Sequence, residues 1–153
     1  MRSYQIVAGA ALLVAAGILS AQGARESEGT KTNLSQQGAY LVHKVAMCVD
    51  CHTPHDSTGN PDGKRQLQGA PIPFQPKSKT AKWADEAPDI TKGGLAGKWS
   101  EEQLVKFLIT GHNPDGMMAM PPMPPYRLRE DDARAVATYL RSLPGKKSEK
   151  AKQ

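Results

Sequence analysis

The stretch Cys48-Val49-Asp50-Cys51-His52 governs how the rest of the chain is read. Its two cysteines are the only ones in the sequence, three positions apart, and a histidine follows at once. C-x-x-C-H is the attachment sequence of a c-type haem. Two thiols on one turn of chain reach the two vinyl groups along one porphyrin edge and become thioethers. The next side chain, His52, then comes up under the iron as the proximal imidazole. Three other readings compete. A thioredoxin-like dithiol also uses C-x-x-C, but in a βαβ setting, and no strand-forming run of that type surrounds Cys48. A structural zinc site needs more ligands nearby, and only His55 stands at short range. A bare disulfide explains neither His52 nor an export signal.

Composition agrees with the haem reading. A chain of 153 residues, 39% hydrophobic and 23% charged, fits one domain and excludes a multidomain enzyme. Aromatic residues make up only 5%, while 14 Gly and 12 Pro imply much turn and loop. Such a domain buries a thin core, so a bound group is expected to fill its middle. Apolar clusters at helical spacing exclude a disordered chain, and the composition excludes a collagen-like or polytopic membrane protein.

Arg2, the uncharged apolar run Ile6 to Leu19, and the small residues Ser20, Ala21 and Gly23 follow the order of a secretory signal. Residues 1–23 are therefore read as a signal peptide cleaved after Ala21-Gln22-Gly23, with an uncleaved N-terminal anchor as the alternative. Either way the domain is placed outside the cytoplasm, in the periplasm. Residues 24–34 read as a flexible linker, 35–144 as the functional domain, and 145–153 as a disordered charged tail. The net charge of +5, which loses one cation with Arg2, suits steering toward an acidic protein face. The basic residues are scattered and lack an aromatic stacking platform, which argues against nucleic acid.

Helical spacing predicts three main helices in an all-α domain. The first runs from Ser35, as N-cap, to Met47, with Leu41, Val45 and Cys48 on one face. Residues 53–98 are irregular and rich in Gly and Pro, and so long a loop in a small domain is expected to wrap a ligand. Ser100-Glu101-Glu102-Gln103 is a capping box, with Trp99 and Leu104 as a hydrophobic staple. Leu104, Phe107 and Leu108 form the buried face of that helix, and Gly111 ends it. The last helix spans about Glu130 to Leu143, with acidic residues in its first turn and Val136, Tyr139, Leu140 and Leu143 on one stripe. No internal repeat points to a second haem domain.

The segment Met117-Met118-Ala119-Met120-Pro121-Pro122-Met123-Pro124-Pro125-Tyr126 offers four thioethers on a backbone restricted by proline. Met123 is the favoured sixth iron ligand and Met120 its rival. Any of the four could instead pack against the ring as filler, and a Met-rich run also suits Cu(I), although copper leaves C-x-x-C-H unexplained. His43, His55 and His112 compete as sixth ligands as well.

With these residues in place, the sequence resembles the class I cytochromes c, nearest to the single-haem bacterial type found as small proteins or as subunits of periplasmic dehydrogenases. The resemblance covers roughly Gln37 to Leu143. It rests on Gly38-Ala39-Tyr40-Leu41 before the haem motif, on Ala87-Pro88-Asp89-Ile90-Thr91, on Gly97-Lys98-Trp99-Ser100-Glu101-Glu102-Gln103, on Pro121-Pro122-Met123-Pro124, and on Ala137-Thr138-Tyr139-Leu140-Arg141-Ser142-Leu143-Pro144. It implies three to five helices with long loops wrapped around one covalently bound haem. Cys48 and Cys51 then carry the thioethers, and His52 and Met123 are the axial ligands. It further implies a crossing of the first and last helices at Gly38 and Tyr139, a Pro71 carbonyl on His52 Nδ1, and a Trp99 donor to a propionate. Asp89 stands where relatives often have Asn, and Arg129 where a Ser cap is usual. A motif this early in the chain argues against the four-helix cytochromes c′, which carry it near the C-terminus.

The expected function is electron transfer rather than catalysis, with a periplasmic dehydrogenase or a terminal oxidase as redox partner. The alternatives are a haem-bearing subunit of a dehydrogenase complex, and a haem enzyme or gas sensor with an open iron site.

Overall fold

The computed structural model describes residues 31–145. The expected signal peptide 1–23 and the tail beyond Gly145 lie outside the described residues. The chain divides into two compact units, Met1–Asn33 and Leu34–Gln153. The second carries the cysteine motif, both strands and the later helices.

The first helix, α1, is α-helical over 31–40 and ends in a π turn at Leu41–Val45. Helix is already present at 31, so Ser35 lies inside it rather than capping it, and 31–34 are helical rather than part of a linker. The far end also differs from the expected run to Met47. The Ala46 N–H reaches back to the Leu41 carbonyl at 2.8 Å, and Met47 then turns left-handed (φ 53°, ψ 34°). That break starts a fresh single turn, α2, over Cys48–His52. The two cysteines and the histidine therefore share one turn whose direction is set independently of α1.

The expected irregular stretch contains two strands and a short helix. β1 (Gln68–Pro71) and β2 (Glu86–Asp89) pair antiparallel, Gln68 with Asp89 and Ala70 with Ala87. Hydrogen bonds from Ile72 N–H to the Asp85 carbonyl (2.8 Å) and from Ile90 N–H to the Leu67 carbonyl (3.0 Å) extend the ladder at both ends. Proline inside each strand hid this pairing from sequence reasoning, since Pro normally demotes a strand. In a two-stranded sheet both strands are edges, and a missing N–H can face outward. Over the described residues the fold is thus mainly helical with a small sheet, rather than purely α.

α3 (Leu95–Lys98) leads into α4 (Glu101–Thr110), and α5 (Glu130–Ser142) closes the domain. The Ser100–Gln103 capping box forms in both directions, and Gly111 ends α4 with φ 76°. Arg129 precedes α5 without a side-chain cap bond, and the acidic first turn faces the helix's positive end instead. α4 packs along α5. α1 crosses α5 at Gly38, where an added Cβ would lie 2.0 Å from the Ala135 carbonyl oxygen and 2.7 Å from Tyr139 Cβ. The core is small side chains on α5 (Ala133, Val136, Ala137, Leu140) against Val42, Leu67, Ala96, Leu104 and Leu108. Arg141 donates to the Ala96 and Trp99 carbonyls at 2.7 and 3.0 Å, tying α5 to both ends of α3.

Candidate functional site

A cavity of about 420 Å³ opens in the middle of this thin core, within the size range of cofactor pockets, about 300–1,000 Å³. Cys48, Cys51 and His52 of α2 line it, as do Leu104 and Leu108 of α4 and Val136 and Leu140 of α5. Ile72, just past β1, and Ala87 and Pro88 of β2 also line it, as do Met118, Met120, Met123 and Tyr126 of the proline-rich segment.

His52 is 6% exposed, and its Nδ1 donates to the Pro88 carbonyl at 2.7 Å. A carbonyl only accepts, so the proton sits on Nδ1 and Nε2 keeps its lone pair. Burial pushes the imidazole pKa below its ordinary value, against smaller opposing effects of the Pro88 carbonyl and Asp89. The residue is therefore held as the neutral tautomer that binds metals. The carbonyl is not that of Pro71, as the resemblance implied. Pro71 pairs with Glu86 at the outer end of the sheet, whereas the register brings Pro88 opposite Gly69, beside α2. Gly69 sits there with φ 82°, and a Cβ on it would approach Asp89 N to 2.8 Å and Pro88 C to 3.0 Å. Asp89 Oδ1 accepts from the Thr91 N–H and hydroxyl at 2.8 and 2.7 Å. An asparagine oxygen would do the same, which accounts for Asp at this position.

Cys48 and Cys51 are both free thiols, partly buried. Burial pushes the Cys48 thiol up to about 11, and burial with the nearby Asp50 pushes Cys51 up as well. The direction is opposite to that of redox-active dithiols, whose pKa values are lowered. Among the described residues no three His, Cys, Asp or Glu side chains converge as a structural zinc site needs.

Of the four clustered methionines, three reach the cavity and Met117, 60% exposed, does not line it. Met123 is part-buried, whereas Met118 and Met120 are 56% and 50% exposed. The competing histidines do not line the cavity. His43 is hydrogen-bonded to the Tyr139 hydroxyl at 2.7 Å, His55 is exposed and bridges to Pro61, and His112 is exposed with Nδ1 on the Thr110 carbonyl at 3.0 Å. Trp99 lines the cavity and packs edge-on against Phe107 with ring centroids 5.3 Å apart.

Sequence reasoning missed three residues that shape this site. Pro88 holds His52. Thr53, fully buried, accepts the Leu67 N–H on its hydroxyl at 3.0 Å and closes the excursion between α2 and β1. Tyr126 donates to the Ala46 carbonyl. A buried threonine directly after the motif and a lone phenol after two prolines were the available signals.

Comparison with known proteins fits this geometry. The cytochrome c family model matches residues 35–144, and the chain belongs to the cytochrome c family. Among characterised relatives, it is 32% identical over 122 residues to a diheme cytochrome c-type protein of Cereibacter sphaeroides, covering 76% of this chain and 38% of that protein. It is 33% identical to the fructose dehydrogenase cytochrome subunit of Gluconobacter japonicus, covering 72% of this chain and 22% of the subunit. It is 31% identical to the gluconate 2-dehydrogenase cytochrome c subunit of Pantoea cypripedii, covering 72% and 26% respectively. The matched region is thus well under half of each relative's own length. Family membership implies a c-type haem. The residues present fit one: two thiols and a neutral, buried imidazole on one turn, facing an apolar cavity with thioethers on another of its walls.

Proposed function

We propose that this protein is an electron carrier holding a single c-type haem, with thioether bonds to Cys48 and Cys51 and axial ligation by His52 Nε2 and Met123 Sδ. The observation that carries the reading is the fixed, neutral His52 on the same cavity as both thiols and Met123. The bound group supplies one-electron exchange between ferrous and ferric iron. The chain's residues do the rest. Pro88 fixes the imidazole tautomer, α4 and α5 exclude water, and the proline-bounded segment presents a soft sulfur that favours the reduced state. With His52 and Met123 both holding the iron, no site would be left for a substrate, which supports an electron carrier rather than an enzyme. Export to the periplasm follows from the reading of residues 1–23, and the partners are redox proteins such as a dehydrogenase or a terminal oxidase.

Haem staining after denaturing electrophoresis tests the attachment, since only a covalent haem stays with the chain. A product with the mass of bare polypeptide and no Soret absorbance overturns it. Carbon monoxide tests the ligation. Slow or absent adduct formation by the reduced protein at neutral pH is expected, and rapid formation of a stable adduct points to an open-site haem enzyme or gas sensor instead. A second reading, membership of a dehydrogenase complex, is favoured by relatives named as dehydrogenase cytochrome subunits. Co-purification of the native protein with a dehydrogenase separates that from a free carrier.

A further inference from the structure

We infer that Tyr126 is a positioning residue: its hydroxyl, bonded to the Ala46 carbonyl, straps the methionine-bearing segment to the cysteine-bearing turn and so keeps the Met123 sulfur over the cavity. The inference rests on the ligation proposed above and adds a residue to it.

The segment from His112 to Arg129 contains no helix or strand. Its anchors are few. Ala119 and Leu128 hold it to the end of α4, through N–H bonds to the Gly111 and Leu108 carbonyls at 3.3 and 3.2 Å. The Pro121 carbonyl accepts from Ala84 N–H at 2.7 Å, which ties it to the approach to β2. Four of the six residues from Pro121 to Tyr126 are prolines and offer no N–H, so the backbone can contribute little more. Tyr126 provides the link to the other side of the site. Its ring lines the cavity, and its hydroxyl reaches Ala46, eighty positions away in sequence. Ala46 caps the π turn and immediately precedes left-handed Met47, the residue that launches α2. One bond thus joins the loop that carries Met123 to the hinge that aims Cys48, Cys51 and His52. Burial pushes the phenol's pKa up to about 12. The hydroxyl therefore keeps its proton, and the strap its donor, throughout the neutral range.

Tyr126→Phe keeps the ring and removes only the donor. In the ferric holoprotein, the weak near-infrared sulfur–iron band is expected to disappear at a lower pH than in the parent. Amide exchange at Met123 and Ala84 is expected to rise about two- to tenfold, the factor that one hydrogen bond carries, with amides of α4 and α5 unchanged. Tyr139→Phe is the control. It also loses a phenol bond, to His43 at the α1–α5 crossing, and is expected to leave the band and these amides where they are. An unchanged pH for loss of the band together with unchanged exchange in Tyr126→Phe overturns the strap. If the parent protein shows no such band, the Met ligation itself fails, while the exchange measurement still decides whether Tyr126 restrains the segment.

Discussion

At the scale of single residues, the proposed site divides its chemistry between two side chains, and each is held by something other than itself. His52 is oriented by a proline carbonyl, and Met123 by the prolines on either side of it. The thioether segment presents more than one sulfur to the cavity, so ligand choice is the sharpest test. Met123→Leu is expected to abolish the near-infrared sulfur–iron band and lower the midpoint potential, because thioether ligation raises it. Met120→Leu is expected to change neither, in keeping with its greater exposure. The opposite result from a paired titration would reassign the ligand. His43 gives a second test. Burial, and to a smaller degree Lys44, hold its imidazole below the ordinary value of 6.5. The unfolded chain therefore takes up that proton more readily than the folded one. The stability this group contributes is present above the unfolded pKa and is lost as pH falls through it toward the folded value. Denaturant midpoints of the holoprotein are expected to drop between about pH 7 and about pH 5, where histidine titrates, and to drop less in His43→Gln.

Between elements, the decisive contact is the crossing of α1 and α5. Gly38 admits the α5 backbone so closely that a methyl group cannot be placed without moving a carbonyl. Gly38→Ala is expected to cost about 1–3 kcal/mol, the usual range for overpacking, measured by chemical denaturation of the haem-loaded protein. A variant as stable as the parent would mean that the crossing relaxes freely. This contact joins positions about a hundred apart and was expected only through the family resemblance, whereas the capping box of α4, its glycine terminus and the acidic start of α5 were legible because each depends on neighbours a few positions apart. The sheet was not. Its strands are four residues long, carry Pro71 and Pro88, and acquire meaning only through partners at long range. The π turn and the left-handed Met47 were equally hidden. They follow from the need to re-aim the chain between α1 and α2, and no local propensity announces that.

At the largest scale, the described part of the second unit is alanine-rich helix and proline-rich loop lining one apolar cavity. Cys51→Ala is expected to give little stable holoprotein, because one thioether bond is lost and the central packing loses its fixed partner. Haem staining and the yield of soluble protein check this, and a normal yield of folded, haem-free Cys51→Ala would refute it. The motif and the candidate ligands were singled out from the chain, while the supports around them were not, since Pro88, Thr53 and Tyr126 act through long-range bonds to backbone groups that only the fold supplies. Gly69 shows how far that dependence extends. It touches neither thiol nor thioether, yet its bare α-carbon is what lets β2 lie close enough for Pro88 to meet the imidazole. Under the proposed ligation, the basicity of the nitrogen donor is therefore governed in part by a residue on the neighbouring strand. On that same proposal, replacing this glycine retunes the driving force for electron flow while the Cys-Val-Asp-Cys-His signature stays intact.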